Sequence, residues 1–328
     1  MRSYHVDSFD GRGFVLREHD VPEPGPGQIL VRVRAASFNK RDHLIVAGRY
    51  PLPPRPGVVA LSDGAGEVVA TGDGVTRFGT GDRVVGSYWN RWHGGRFEAS
   101  MLDQLGCTRD GMLTEYALLD EGAAVAVPAH LSWAEAATLP CAGVTAWTSI
   151  TGGTPLPDDA TVVTLGTGGV SLYAVQIAKA LGYRAIATTS SPEKAARVGD
   201  LGADGVVDYR DNPQWSAGIR ELTGGMGADV IVDTAGPDTV AESIRAASLY
   251  GQVVLLTTQS ATREDVTVPG AAWAQTTAGI RRVFVGSRTD LEDLAKLVES
   301  AGIHPVVDGV YGFDDVPAAW EHYLSGKA

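Results

Sequence analysis

The chain has 328 residues, 44% of them hydrophobic, enough to bury about two cores of ordinary domain size. Its 39 acidic residues against 27 basic ones give a formal net charge of -12, which disfavours long-range attraction to nucleic acid or to an anionic membrane. Only two cysteines occur, Cys107 and Cys141, so no disulfide framework is indicated and a reducing cytoplasm fits better than secretion. No uncharged apolar run approaches the ~20 residues needed to cross a bilayer, and the opening MRSYHVDSFDGRG lacks the apolar stretch of an export signal. A soluble, cytoplasmic protein is expected.

In chain order, the first 120 residues or so carry short β-like runs punctuated by glycine and proline, such as QILVRVRAASF after EPGPG. The stretch GEVVATGDGVTRFGTGDRVVGSYW alternates valine with polar residues and turns at Gly72-Asp73-Gly74, which suits a small curved sheet or partial barrel. From about Val125 apolar strands alternate with helical runs, the pattern of a parallel sheet. Strands are predicted from Thr161, Arg184, Gly205, Asp229 and Gln252, with a sixth near Val283. The helices between them include SPEKAARVGDLG and DTVAESIRAASLYG, each closing near a glycine. After Ser287 a helical run, DLEDLAKLVESAG, leads into HPVVDGVYGF and a last short helix, which is expected to return to the first domain. The predicted fold class is α/β: a mostly-β domain over residues 1–125 and 288–328, and a doubly wound parallel-sheet domain of the Rossmann kind over 126–287.

The segment TVVTLGTGGVSLYAVQIAKALG sets a glycine cluster between an apolar strand and an apolar helix. Gly166 permits a tight turn, Gly168 lets backbone approach a pyrophosphate, and Ser171 allows close helix-strand packing. Thr167, Gly169 and Val170 complete the turn, whose N–H groups and helix dipole would face the phosphates. At the end of the second strand, IATTSSPEK, Thr189 stands where NAD-binding sheets carry a carboxylate for the ribose 2'-hydroxyl. Ser190, Ser191 and Lys194 follow within a helical turn and suit a 2'-phosphate, so NADPH is the expected cofactor. The plainer reading is a Ser N-cap, Pro192 in the first turn and a solvated lysine.

With AASFNKRDHLIVAGRYP, LSDGAGEVVATGDGVTRFGTGDRV, ATLPCAGVTAW, the glycine turn, LGADGVVDYR and LTGGMGADVIVDTAGP in this order, nearly the whole chain resembles the medium-chain dehydrogenase/reductase superfamily, specifically its zinc-free quinone-oxidoreductase-like branch. The resemblance implies a GroES-like catalytic domain interrupted by the cofactor domain, an active site in the cleft between them, and a homodimer joined through the sixth strand of each cofactor sheet. It also implies that Thr145 and the backbone of Phe284 and Val285 frame the nicotinamide, and that Tyr209 lies near the adenine end. Asn39, near the cofactor, and Tyr50, offering a hydroxyl to a substrate oxygen, would line the adjacent cleft. Their plainer roles are a turn amide and an interface aromatic, and Tyr209 could equally cap the third strand. Relatives continue past a Ser-Gly-Lys turn into a final strand, whereas this chain stops at Ala328, so a cofactor contact from such a tail is in doubt.

Zinc enzymes of the superfamily hold their catalytic metal through a cysteine, a histidine and a second cysteine or an acidic residue. The matching positions here carry Asn39, Ser62 (followed by Asp63) and Cys141, so no metal site is expected. Cys141 reads as a small packing residue. The segment from Ser87 to Gly111 lies where zinc relatives carry a four-cysteine lobe; Cys107 is its only cysteine, and Trp89, Trp92 and Phe97 serve either as a local core or as walls of a substrate pocket. His43 and His93 fall in segments expected near the cleft, but scattered single histidines more often have structural roles. The expected activity is zinc-independent, NADPH-dependent hydride transfer to an enone or quinone, with a small hydrophobic substrate and Asn39, Tyr50 and Thr145 at the chemistry. A zinc-free alcohol dehydrogenase or ketone reductase, or a non-catalytic NADPH-binding protein, are the alternatives.

Overall fold

The structure is a computed structural model that describes residues 1–258 and 265–326; Lys327 and Ala328 lie outside the described residues. Two compact units form, Met1–Val144 with Gly286–Ala328, and Thr145–Val285.

The first unit opens with β1 (Arg2–Val6), β2 (Val15–Glu18), β3 (Gln28–Ser37), helix α1 (Lys40–Val46), β4 (Val58–Val59), β5 (Asp63–Thr71), β6 (Arg83–Gly86), β7 (Tyr116–Asp120), β8 (Ala124–Ala126) and the single turn α2 (Trp133–Ala136). These strands make a three-stranded sheet in the order β2-β1-β4 and a five-stranded one in the order β7-β3-β5-β6-β8, antiparallel throughout. Alternation on β3 sends Ile29 and Val31 to one face, where they meet Val68, Val84 and Leu119. Residues 126–144, expected with the parallel sheet, pack with this unit instead. Among the contacts that hold them there, the Arg83 guanidinium donates to the carbonyls of Ala129 (3.2 Å) and Leu131 (2.7 Å) and lies 4.3 Å from the centre of the Trp133 ring, and the Cys141 N–H donates to Asp63 at 2.9 Å.

A π-helical turn, Leu139–Gly143, runs into α3 (Val144–Thr151), and the second unit then alternates strictly. Its elements are β9 (Thr161–Leu165), α4 (Gly169–Ala180), β10 (Arg184–Thr189), α5 (Pro192–Asp200), β11 (Gly205–Asp208), α6 (Trp215–Leu222), β12 (Ala228–Asp233), α7 (Val240–Ala246), β13 (Ala247–Leu255), α8 (Gly270–Thr276) and β14 (Gly279–Arg282). The strands are all parallel in the order β11-β10-β9-β12-β13-β14, the doubly wound arrangement of a Rossmann sheet. Every residue of β9 is buried, as a central parallel strand demands. Two local expectations shift. The run ASLYG belongs to β13 rather than to the preceding helix, with Leu249 and Tyr250 exposed and Tyr250 at φ +59°. The sixth strand ends at Arg282, just before Val283, because its ladder pairs Gly279 to Arg282 with Gln252 to Leu255.

The chain then returns to the first unit through α9 (Arg288–Ala301), capped by Ser287 and closed by Gly302 in the left-handed region, and α10 (Val316–Leu324). HPVVDGVYGF between them holds no strand. Trp320 of α10 joins Tyr4, Val6, Ile45, Val46, Val58 and Leu61 in the core around α1. Leu61, just before Ser62 and Asp63, sits at φ +64°, where a side chain is strained. Gly106 and Gly111 pack on its backbone, and a Cβ at Gly111 would lie 2.0 Å from the Leu61 carbonyl oxygen. Gly111→Ala is therefore expected to cost about 1–3 kcal/mol, read by urea unfolding of the first unit's signal, and an unchanged midpoint would show that this packing is slack.

Candidate active site

In the second unit, β9 ends at Leu165 and Gly166 turns the chain at φ +74°. Its N–H is held by the Thr188 carbonyl at 3.0 Å, and Gly168 serves as N-cap of α4. Around both glycines the space that a Cβ would take is open, so the backbone of the turn can be approached closely by a ligand. Ser171 is buried and donates to the Leu165 carbonyl at 2.7 Å, which ties helix to strand. The free N-terminal amides of α4 and its dipole make Gly166 to Val170 a fitting cradle for a pyrophosphate.

At the end of β10, Thr189 is buried and its hydroxyl is engaged with the Ser191 backbone at 3.1 Å. Ser191 caps α5, accepting from Lys194 N–H at 3.3 Å, so the plain capping role is realised for this residue. Ser190 is half-buried and Lys194 exposed; among the described residues no carboxylate pairs with Lys194. Tyr209, 40% exposed, is anchored by its N–H to the Thr189 carbonyl at 3.1 Å, which puts its backbone beside the same strand end. The exposed Arg210 follows it, a second cation that the sequence offered in LGADGVVDYR and that was passed over.

Elsewhere in this unit Thr145 is buried at the start of α3, its carbonyl accepting from Ser149 Oγ at 2.6 Å. Thr148 Oγ donates to the Val285 carbonyl at 2.7 Å, and Val285 lies at φ +62°, a costly conformation for a β-branched residue. Thus the structure brings Thr145 and Val285 to one bonded locus, with Phe284 alongside.

In the first unit, Asn39 is the N-cap of α1 in a capping box with Asp42, whose Oδ2 accepts the Asn39 N–H at 2.8 Å. Arg41 follows, only 6% exposed. Its guanidinium contacts Asp42 at 3.2 Å, donates to Gln104 Oε1 at 3.3 Å, and lies 5.4 and 4.9 Å from the ring centres of Tyr50 and Tyr88. The Tyr50 hydroxyl is 2.6 Å from that of Tyr88 and donates to Gln104 Oε1 at 2.8 Å. Beside this cluster Asp63, fully buried, accepts from Ser62 Oγ at 2.5 Å and from the Cys141 N–H at 2.9 Å, with the Asn39 side chain as a further partner. Burial pushes Asp63 up to about 7 and Asp42 to about 6, the Arg41 charge opposing the latter.

These contacts test the donor set at the positions of the superfamily's zinc ligands. Asn39 and Ser62 are committed to Asp63, which leaves the half-buried Cys141 thiol as the one sulfur donor at these positions. An amide, a hydroxyl and a single thiol do not make up the three thiolate, imidazole or carboxylate ligands that zinc takes. Among the described residues no group of three His, Cys, Asp or Glu side chains could hold a metal.

The lobe from Ser87 to Gly111 owes its shape to packing. Trp89 is fully buried against Tyr88, and the Phe97 ring lies 4.7 Å from Trp89 and 4.8 Å from Trp92. Its two ends bridge at Trp89 and Gln104, bringing Tyr88 and Gln104 to Arg41. Cys107 is buried with no disulfide, His93 is exposed, and His43 accepts from Arg49 at 3.3 Å rather than facing the tyrosines. Arg41, Tyr88 and Gln104 escaped the sequence reading, because no spacing marks a charged residue as buried; the one signal was an arginine set between Asn39 and Asp42 at a helix start.

Residues 25–129 match the family described as alcohol dehydrogenase GroES-like domain, and residues 169–300 the one described as zinc-binding dehydrogenase. The chain is 37% identical over 314 residues to the zinc-type alcohol dehydrogenase-like protein C1773.06c of Schizosaccharomyces pombe, covering 94% of this chain and 91% of that one. It is 29% identical to the acryloyl-coenzyme A reductase of Metallosphaera sedula, covering 94% and 92% of the two chains. A putative alcohol dehydrogenase from Sinorhizobium meliloti 1021, of solved structure, superposes with a TM-score of 0.92 at 36% identity, covering 99% and 96%.

Asp63 gives the site a pH signature. Its carboxyl titrates near 3.8 when exposed and near 7 when folded, so between these values the folded chain holds a proton that the unfolded chain has lost. By linkage, stability should fall as pH rises across that window and level off above it. Asp63→Asn should flatten that slope in urea titrations; an identical slope in variant and parent would place the buried proton elsewhere.

Proposed function

Because this chain belongs to the medium-chain dehydrogenase/reductase superfamily, a family of oxidoreductases, we propose that it transfers hydride from NADPH to an activated carbon-carbon double bond, as in an enone, or to a quinone, without a metal. The observation that carries the reading is the donor set just described: where zinc relatives place metal ligands, this chain places Asn39, Ser62 and a single cysteine, Cys141. Reducing a simple carbonyl creates a localised alkoxide, which a metal stabilises as a Lewis acid. Conjugate reduction leaves charge spread over an enolate, and quinone reduction over a phenolate, which a few positioned donors can hold. Tyr50 is such a donor, whereas the Asn39 amide, expected to share this role, is held by Asp63 and by the Ser37 carbonyl at 3.4 Å. The acryloyl-coenzyme A reductase among the relatives is named for a substrate with an activated double bond.

When bound, the cofactor supplies the hydride. Gly166 to Val170 would hold its pyrophosphate by backbone amides, and Ser190, Ser191 and Lys194 its 2'-phosphate, with Tyr209 at the adenine end. Thr145, Phe284 and Val285 would frame the nicotinamide. A small hydrophobic substrate and a homodimer paired through β14 belong to the same reading. No helix among the described residues is long and apolar enough to cross a membrane. Ketone reduction is the second reading, favoured by the Tyr50 hydroxyl, which could protonate a nascent alkoxide.

Hydrogen bonds to a charged group contribute about 1.5–3 kcal/mol, so Lys194→Ala is expected to raise the Michaelis constant for NADPH about 10- to 150-fold while sparing NADH. Equal effects on both cofactors would refute the 2'-phosphate assignment. Product analysis tests the reaction itself: an α,β-unsaturated ketone should yield the saturated ketone, and an allylic alcohol as main product would move the protein to the carbonyl reductases. Binding of NADPH without its consumption on any enone, quinone or ketone would argue for a non-catalytic role.

A further inference from the structure

The Tyr50 hydroxyl has one proton and two oxygen neighbours. Gln104 Oε1 accepts it at 2.8 Å, and the Tyr88 hydroxyl, 2.6 Å away, is then the donor to the Tyr50 oxygen. Gln104 Oε1 does not depend on Tyr50 alone, because an Arg41 N–H reaches the same atom at 3.3 Å. The Gln104 amide cannot be reversed without facing its N–H2 toward these donors, and that Nε2 has no bonding partner among the described residues.

We propose that this arrangement parks the Tyr50 proton and readies it for transfer: a substrate oxygen draws the proton from Gln104 Oε1, Arg41 keeps that oxygen satisfied, and the Tyr88 hydroxyl remains as donor to the Tyr50 oxygen. Arg41, Gln104 and Tyr88 are then positioning residues for the reaction. This inference rests on the reading of Tyr50 as the donor to a substrate oxygen. On an enone, hydride brings its electron pair to the β-carbon while the π pair moves to the oxygen. The Tyr50 O–H bond breaks as the substrate O–H bond forms, and the enol becomes the saturated ketone by proton exchange with water. The Tyr50 phenolate left behind accepts from Tyr88 and faces the Arg41 charge until solvent returns its proton.

Among the described residues, Arg41, Tyr88 and Cys107 are charged and titratable groups that face Tyr50. Burial pushes the Tyr50 hydroxyl up, while the Arg41 charge and the Tyr88 hydrogen bond draw it back down. Removing one hydroxyl from Tyr88 leaves its buried ring in place, which makes Tyr88→Phe a mild probe.

The test compares the parent with Tyr50→Phe, Tyr88→Phe and the double variant, using an enone and NADPH, and adds ultraviolet difference titration of tyrosinate in the cofactor-free proteins. Tyr88→Phe should lower kcat about 10-fold with both KM values within about twofold, the double variant should be no slower than Tyr50→Phe, and the Tyr50 ionisation should move to higher pH in Tyr88→Phe. If Tyr50→Phe is slow but Tyr88→Phe matches the parent in kcat and tyrosinate titration, or if the two losses multiply in the double variant, the relay is overturned. If Tyr50→Phe itself retains full kcat, the donor reading of Tyr50 falls and the relay with it.

Discussion

Burial of the Arg41 guanidinium is the constraint around which the first unit's polar interior is built. Taking such a cation out of water costs several kcal/mol even after relaxation, so the fold must surround it with compensating groups. Asp42 supplies the opposite charge at 3.2 Å, Gln104 an amide oxygen, and Tyr50 and Tyr88 the negative faces of two rings. Each compensating group is then fixed in turn: Asp42 by the capping box of α1, Gln104 and Tyr88 by the bridged ends of the lobe, Tyr50 by its shared bond to Gln104. The local net charge is set by Asp63, which burial keeps near its protonation point at neutral pH. A single cation with two nearby carboxyls gives a buried polar cluster that is neutral when Asp63 holds its proton.

The second unit follows a different logic, in which the proposed cofactor site is made by backbone rather than side chains. Gly166 and Gly168 expose amides at the start of α4, and their missing Cβ atoms leave the approach open. At the ends of β10 and β11, Ser190, Lys194, Tyr209 and Arg210 stand with a threonine rather than an acidic residue at position 189, the arrangement on which the proposed NADPH preference rests. The strained Val285, tied through Thr148, marks the proposed nicotinamide end.

Much of this was legible in the sequence because it depends on local chemistry. The strand, glycine turn and helix from Thr161 could be read directly, since a buried parallel strand and a tight turn demand those residue types in that order. The family resemblance likewise singled out Asn39, Ser62 and Cys141, which the structure gathers around Asp63. Three things were hidden. The boundary at Val144 reflects contacts of long sequence separation, such as Arg83 to the carbonyls of Ala129 and Leu131 and the Cys141 N–H to Asp63. The helix-to-strand change at Ala247 is invisible to periodicity, because Leu249 and Tyr250 are apolar yet exposed. The Arg41 cluster joins residues from α1, the turn at Tyr50 and both ends of the lobe, and only tertiary structure brings them together.

The central claim is that hydrogen-bond donors around a buried guanidinium take the place that a metal holds in zinc members of the superfamily. Metal analysis of the purified protein, joined to rates of enone reduction before and after exhaustive chelation, tests it most directly. The account predicts zinc far below one per chain and an unchanged rate after chelation. Stoichiometric zinc, with activity lost on its removal and restored by its return, would contradict it.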